Sequence, residues 1–145
     1  MRKKILVTVT IMIGLLITGY IIFGNPIITY HNYQLKQSIR TISKSEVTLN
    51  EIVPFAWETI YTFSPYTSRS EIEEIIGFKS SAVQEAVNEG MVQLLFVKGS
   101  SVVASVCGYA ENLGYRVDFV DKVNFEDHML FDASIQDGII YLTEQ

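Results

Sequence analysis

Cysteine occurs once in this 145-residue chain, at Cys107, and histidine twice, at His31 and His128. One cysteine excludes an intramolecular disulfide framework and any zinc site built on paired thiolates. Neither histidine has a second His or Cys at zinc-site spacing, and the glycine-bearing loop of an EF-hand is missing. There is no G-x-S-x-G elbow and no glycine-rich phosphate loop, so no nucleophile, metal or cofactor site is expected. Acidic residues are absent from residues 1–45, which carry six Lys or Arg; residues 46–145 hold all sixteen Asp and Glu against five Lys or Arg, a net of −11. An acidic domain is repelled by nucleic acid, which is therefore not an expected partner.

What is present begins with residues 5–24, ILVTVTIMIGLLITGYIIFG, a stretch free of charge behind Arg2, Lys3 and Lys4. As a helix it is about 30 Å long, the thickness of a bilayer's hydrocarbon core. A cleaved signal has a shorter apolar region and a small-x-small site. Here the best sites, before Tyr20 or Asn25, have Ile17 or Ile22 at the outer position. A lipoprotein would need a cysteine directly after the run. The reading is a retained transmembrane helix (5–24) behind a basic cytoplasmic tip (1–4). Lys36, Arg40 and Lys44 are set back from the other end, which places the remainder outside the cell membrane.

Residues 25–45 are expected to form a basic amphipathic helical stalk. Leu35, Ile39 and Ile42 share a stripe and Lys36, Arg40 and Lys44 a neighbouring face. Such a stripe suits headgroups or a partner helix. Residues 46–145 are long enough for one core.

Residues 57–63, WETIYTF, alternate as a strand with Trp57, Thr59, Tyr61 and Phe63 on one face. FSPYTS stops it. Ser68 and Glu71 form a capping box for a helix with Ile72, Ile75 and Ile76 on one stripe, closed by Gly77. Ser81 and Gln84 suggest a second helix ending at Gly90. Strands at 91–97 and 102–110 flank the turn KGSS, and 115–121 follows Asn112, Leu113 and Gly114. In the expected register Cys107 faces Phe119 and Tyr109 faces Val117, making Cys107 a core residue. Asp137-Gly138 joins a final hairpin with Ile135 opposite Ile140 and Ala133 opposite Leu142. The fold class is α+β: an antiparallel sheet of about five or six strands packed against one or two short helices.

The W-x3-Y-x-F-x-P-Y-T pattern of Trp57 to Thr67, followed by the short acidic helix to Gly77, resembles small uncharacterised single-span membrane-anchored proteins of Gram-positive bacteria. The resemblance covers about 20 residues and implies a bacterial cell envelope protein, with no activity attached. The order of helices and strands also resembles the small lipoproteins of outer-membrane assembly, from which this chain departs in lacking the lipid-bearing cysteine.

Glu126, Asp127, His128 and Asp132 are the densest group of potential acid, base or ligand side chains, and read as a polar loop. Ser100 and Ser101 read as turn residues. The functional expectation is a single-pass membrane protein displaying an extracytoplasmic binding domain, not an enzyme, with Tyr66, Thr67 and Arg69 as the contact surface. Its partner would be an envelope protein or a second copy. Two alternatives are an immunity or inhibitor protein against a basic toxin or enzyme, and a hydrolase-like enzyme built on a carboxylate and histidine such as Glu58, Glu126, Asp127 or His128.

Overall fold

The computed structural model describes the backbone of residues 2–145 and the side chains among them except Arg2, Ile21, Ile22 and Phe23; Met1 of the expected tip lies outside. Helix α1 spans Arg2–Phe23. It is long and apolar enough to cross a membrane or to be a signal sequence, and no part of Lys3–Tyr20 is buried by the rest of the chain. Its threonines are internally satisfied, because the Thr8, Thr10 and Thr18 hydroxyls donate to the carbonyls of Lys4, Leu6 and Gly14 at 2.8–3.0 Å. Satisfying polar groups inside the helix is what a hydrocarbon environment demands.

Gly24, at φ 71°, ends α1, and Asn25 starts α2 (Pro26–Arg40) by accepting the Ile27 N–H on its side chain at 3.0 Å. Pro26 at the first helical position costs no hydrogen bond. The stripe of α2 has a different occupant from the one expected: Leu35 and Ile39 are fully buried in the main core of the same chain. They meet neither headgroups nor a partner helix, because the sheets that follow supply the apolar cover.

Two four-stranded sheets replace the single sheet expected from sequence. One has the order β1 (Glu46–Thr48), β7 (Leu130–Gln136), β8 (Ile139–Glu144), β5 (Tyr115–Asp118); it is mixed, since β5 runs parallel to β8. The other is antiparallel, in the order β4 (Ser101–Tyr109), β3 (Met91–Lys98), β2 (Thr59–Tyr61), β6 (Lys122–Asn124). The physical cause lies after β4. Ala110–Leu113 forms a helical turn, α5, closed by Gly114 in the left-handed conformation at φ 85°. That glycine caps a helix and sends the chain to the second sheet, where a tight hairpin would have kept it beside β4. Cys107 therefore pairs with Gln93 and Tyr109 with Met91, while Val117 lies beside Leu142. Cys107 is half-buried and outside both cores.

Alternation along β3 sorts the packing. Val92, Leu94 and Phe96 enter the main core with Phe131, Leu142 and Tyr115 of the other sheet, whereas Leu95 and Val97 face a second core with Ile72 and Val83. Ile72 belongs to α4 (Arg69–Ile76), whose Ser68–Glu71 capping box and left-handed Gly77 are as read from sequence. A four-residue helix, α3 (Leu49–Ile52), carries a second such box from Thr48 and Glu51. The strand at 57–63 shrinks to Thr59–Tyr61, and its aromatic face divides: Trp57 enters the main core, while Tyr61 and Phe63 stack against the second.

The second helix expected from Ser81 does not form. Its carbonyls are taken from outside: Val83 O accepts the Arg69 guanidinium at 2.9 Å, Gln84 O the Gln93 amide at 2.7 Å, and Ala86 O the Tyr66 N–H at 2.7 Å. Val83 and Ala86 are buried all the same. The final hairpin has the expected register, with Asp137 and Gly138 at φ 50° and 79°. Ile135, at its tip, is 68% exposed and escapes the core face shared by Phe131 and Leu142.

Candidate functional site

The outer edge of β4 borders a sizeable cleft. An unpaired strand edge invites association, and here α2 covers it with side chains. The Asn32 amide donates to Ser105 O at 2.7 Å and accepts the Ser105 N–H at 3.1 Å, as a neighbouring strand would. His31 Nδ1 lies 2.7 Å from Val103 O, and its ring stacks on Phe55 at 4.4 Å. Gln84 adds two contacts of 3.3 Å to the Ser105 carbonyl and hydroxyl.

Because these groups hold α2 at the edge, a cleft of about 640 Å³ opens between the start of α2, the segment after α4 and the β3–β4 turn. Asn25 and Asn32 line it from α2, Lys79, Ser80 and Ser81 from the segment, and Ser100 and Ser101 from the turn. The segment is fixed by its backbone, with the Ser80 N–H on Glu73 Oε1 at 3.0 Å and the Ala82 N–H on Ser80 Oγ at 3.2 Å. The turn is fixed by Glu58, whose Oε2 accepts the Gly99 N–H at 2.8 Å. Among the described residues no Asp or Glu lines the cleft. Lys79 belongs to neither ion pair found among the described residues. Hydroxyls, amides and one ammonium make a surface that donates hydrogen bonds, suited to a phosphate or a polyol and poor in groups for acid–base work.

Of the residues singled out from sequence, Tyr66 is 63% exposed and holds a left-handed backbone at φ 68°. Thr67 donates to Ser64 O at 2.7 Å and borders a smaller groove with Tyr61, Phe63 and Ile75. Arg69 is committed within the chain, since its guanidinium holds Val83 O and its N–H meets Glu85.

In the acidic loop, Asp127 and Asp132 are committed to structure. Asp127 accepts the Asn124 N–H at 2.8 Å, and Asp132 accepts the Gln145 amide at 2.8 Å. Glu126 and His128 are exposed, and the His128 ring lies 6.1 Å from that of Phe125. No group of three or more His, Cys, Asp or Glu side chains converges among the described residues. Burial pushes the Cys107 thiol up, away from thiolate chemistry. The Glu71 carboxyl is held below its ordinary value by the hydroxyl and N–H of Ser68, and that of Glu51 by the Thr48 N–H and then Lys44.

Sequence reading missed Lys79, Asn25 and Asn32 and took Ser81 for a helix cap. One signal was available: Lys79-Ser80-Ser81 and Lys98-Gly99-Ser100-Ser101 repeat a basic residue followed by a serine pair. Their serines meet in the cleft, although each alone reads as a turn. No protein-family model, curated protein or solved structure matches the chain.

Proposed function

We propose that the chain is a single-pass bacterial envelope protein, anchored by α1 with its N-terminus in the cytoplasm, that displays a small binding domain outside the membrane and performs no catalysis. One observation carries the reading. α1 leaves Leu6, Leu15 and Leu16 at 67–70% exposure, while α2, two residues later, is a core helix. An apolar helix with no cover of its own needs lipid. The resemblance of the Trp57–Gly77 stretch to single-span proteins of Gram-positive bacteria points to the same address, and the cluster of Arg2, Lys3 and Lys4 at the N-terminal end of α1 supports the orientation. Binding is favoured over catalysis because Glu58 and Asp127 are engaged in turns, whereas the described lining of the β4-edge cleft offers donors without a carboxylate or histidine base.

The test is to express the full chain, wash its membranes at alkaline pH and treat intact cells with protease. The expected result is retention in the membrane, an intact mass that includes α1, and loss of the domain to external protease. Release by the wash, or a mature chain beginning near Tyr20 or Asn25, overturns the anchor; a domain protected while other surface proteins are cut overturns the orientation.

A further inference from the structure

The cleft on the β4 edge has a location that its composition alone does not explain. Asn25, Ile28 and Thr29, which line it, follow the end of α1 by two to six residues, and Tyr20 and Gly24 of the α1 end line it too. If α1 crosses the bilayer, these residues stand at the level of the lipid headgroups, since one turn of helix rises only about 5.4 Å. Lys79 is one of just five Lys or Arg in the −11 stretch 46–145, and it lines the cleft of about 640 Å³, where no carboxylate is found among the described lining residues; Glu73 is close by, its Oε1 holding the Ser80 N–H. Of the other four, Arg69 and Arg116 are engaged with Val83 O and Asp118. The hydroxyls of Ser81, Ser100 and Ser101 have no partner among the described residues. A phosphate monoanion accepts several short hydrogen bonds at once, and the Lys79 ammonium and the serine hydroxyls that line the same cleft are donors of that kind.

We infer that this cleft binds the phosphate of a phospholipid headgroup from the leaflet at the C-terminal end of α1, with Lys79 as the cation and Ser80, Ser81, Ser100 and Ser101 as donors. The inference rests on the anchored reading above and names the ligand of that domain. Lipid supplies the phosphate at high local concentration, because the same α1 that inserts in the bilayer carries the cleft against it. Ile28 and Phe78 on its wall accommodate the glycerol and the first carbons of the chains.

The full chain in a phosphate-free non-ionic detergent, isotopically labelled, is titrated separately with short-chain phosphatidylglycerol and with glycerol phosphate while backbone amide signals are followed. Saturable shifts of Ser80, Ser81 and Ser101 with the lipid are expected, weakened about tenfold in Lys79→Gln, the loss of one charge-assisted contact. Glu126→Gln, a variant far from the cleft in the β6–β7 loop, retains binding. Shifts absent with both ligands, or unchanged in a folded Lys79→Gln, overturn the site. Equal affinity for glycerol phosphate overturns the lipid as the source. The titration needs no bilayer, so a chain that fails the alkaline wash yet binds the lipid refutes the anchor alone, and one retained in membranes without shifts refutes the cleft alone.

Discussion

α1 and α2 are consecutive helices parted only by Gly24 and Asn25, and they solve opposite problems. α1 is apolar on every side, so no orientation against a core would hide it, and none of its Lys3–Tyr20 stretch is covered. α2 is apolar on one stripe, and that stripe is sealed at Leu35 and Ile39 while Lys36 reaches out to Asn112 O at 3.2 Å. The difference teaches that the natural boundary in this chain is the glycine and the capped proline, not the change of charge near residue 45. A helix basic enough to look like a linker is a structural part of an otherwise acidic domain.

Truncation is the strongest way to break that comparison. Removing residues 1–24 is expected to leave a cooperatively unfolding domain, whereas removing residues 1–45 takes Leu35 and Ile39 from the core and the Asn32 bonds from the β4 edge. The shorter product is expected to lose cooperative melting and near-ultraviolet dichroism. A cooperative melt of residues 46–145 alone would mean that α2 is an accessory after all.

A gentler version compares two leucines. Leu35→Ala empties a site with 1% exposure and is expected to cost about 2–5 kcal/mol in urea unfolding. Leu15→Ala, on the uncovered helix, is expected to change the stability of the domain by less than about 0.5 kcal/mol. Equal losses would place α1 against the domain in solution.

How much of this was legible beforehand follows the range of the signal. Ser68, Glu71 and Gly77 declare α4 within ten residues, and Asp137-Gly138 fixes the register of the last hairpin, because caps and two-residue turns are local chemistry. The three-residue strands β1 and β6 have no such signal; β1 exists through pairing with β7, more than eighty positions away. Ser81 and Gln84 imitate a capping box, but Arg69, Gln93 and Tyr66 claim the carbonyls such a helix would need. Tertiary contacts overrode a weak propensity there. The cleft was hidden for the same reason, since the two serine pairs lie twenty positions apart and become neighbours only when the β3–β4 hairpin packs beside the end of α4.

The helix starts extend the comparison to electrostatics and give its smallest test. α1 opens on Arg2, Lys3 and Lys4, of the wrong sign for the positive end of a helix dipole, whereas α3 and α4 open on capping boxes with Glu51 and Glu71. Both carboxyls are held below the ordinary value of 4.5 in the folded chain. A depressed carboxyl stabilises the fold fully above its unfolded pKa, and that contribution is lost as pH falls through the folded value. Stability should therefore decline from about pH 4.5 downward, by a small amount, because both groups are solvent-exposed and screened. Glu71→Gln keeps an acceptor for the Ser68 N–H but cannot titrate, so its urea midpoint should fall less steeply than that of the wild type between about pH 5 and 3. Identical slopes would show that the Ser68–Glu71 box does not hold its proton-free form in solution, and the contrast between a helix start built for water and the basic start of α1 would then rest on α3 alone.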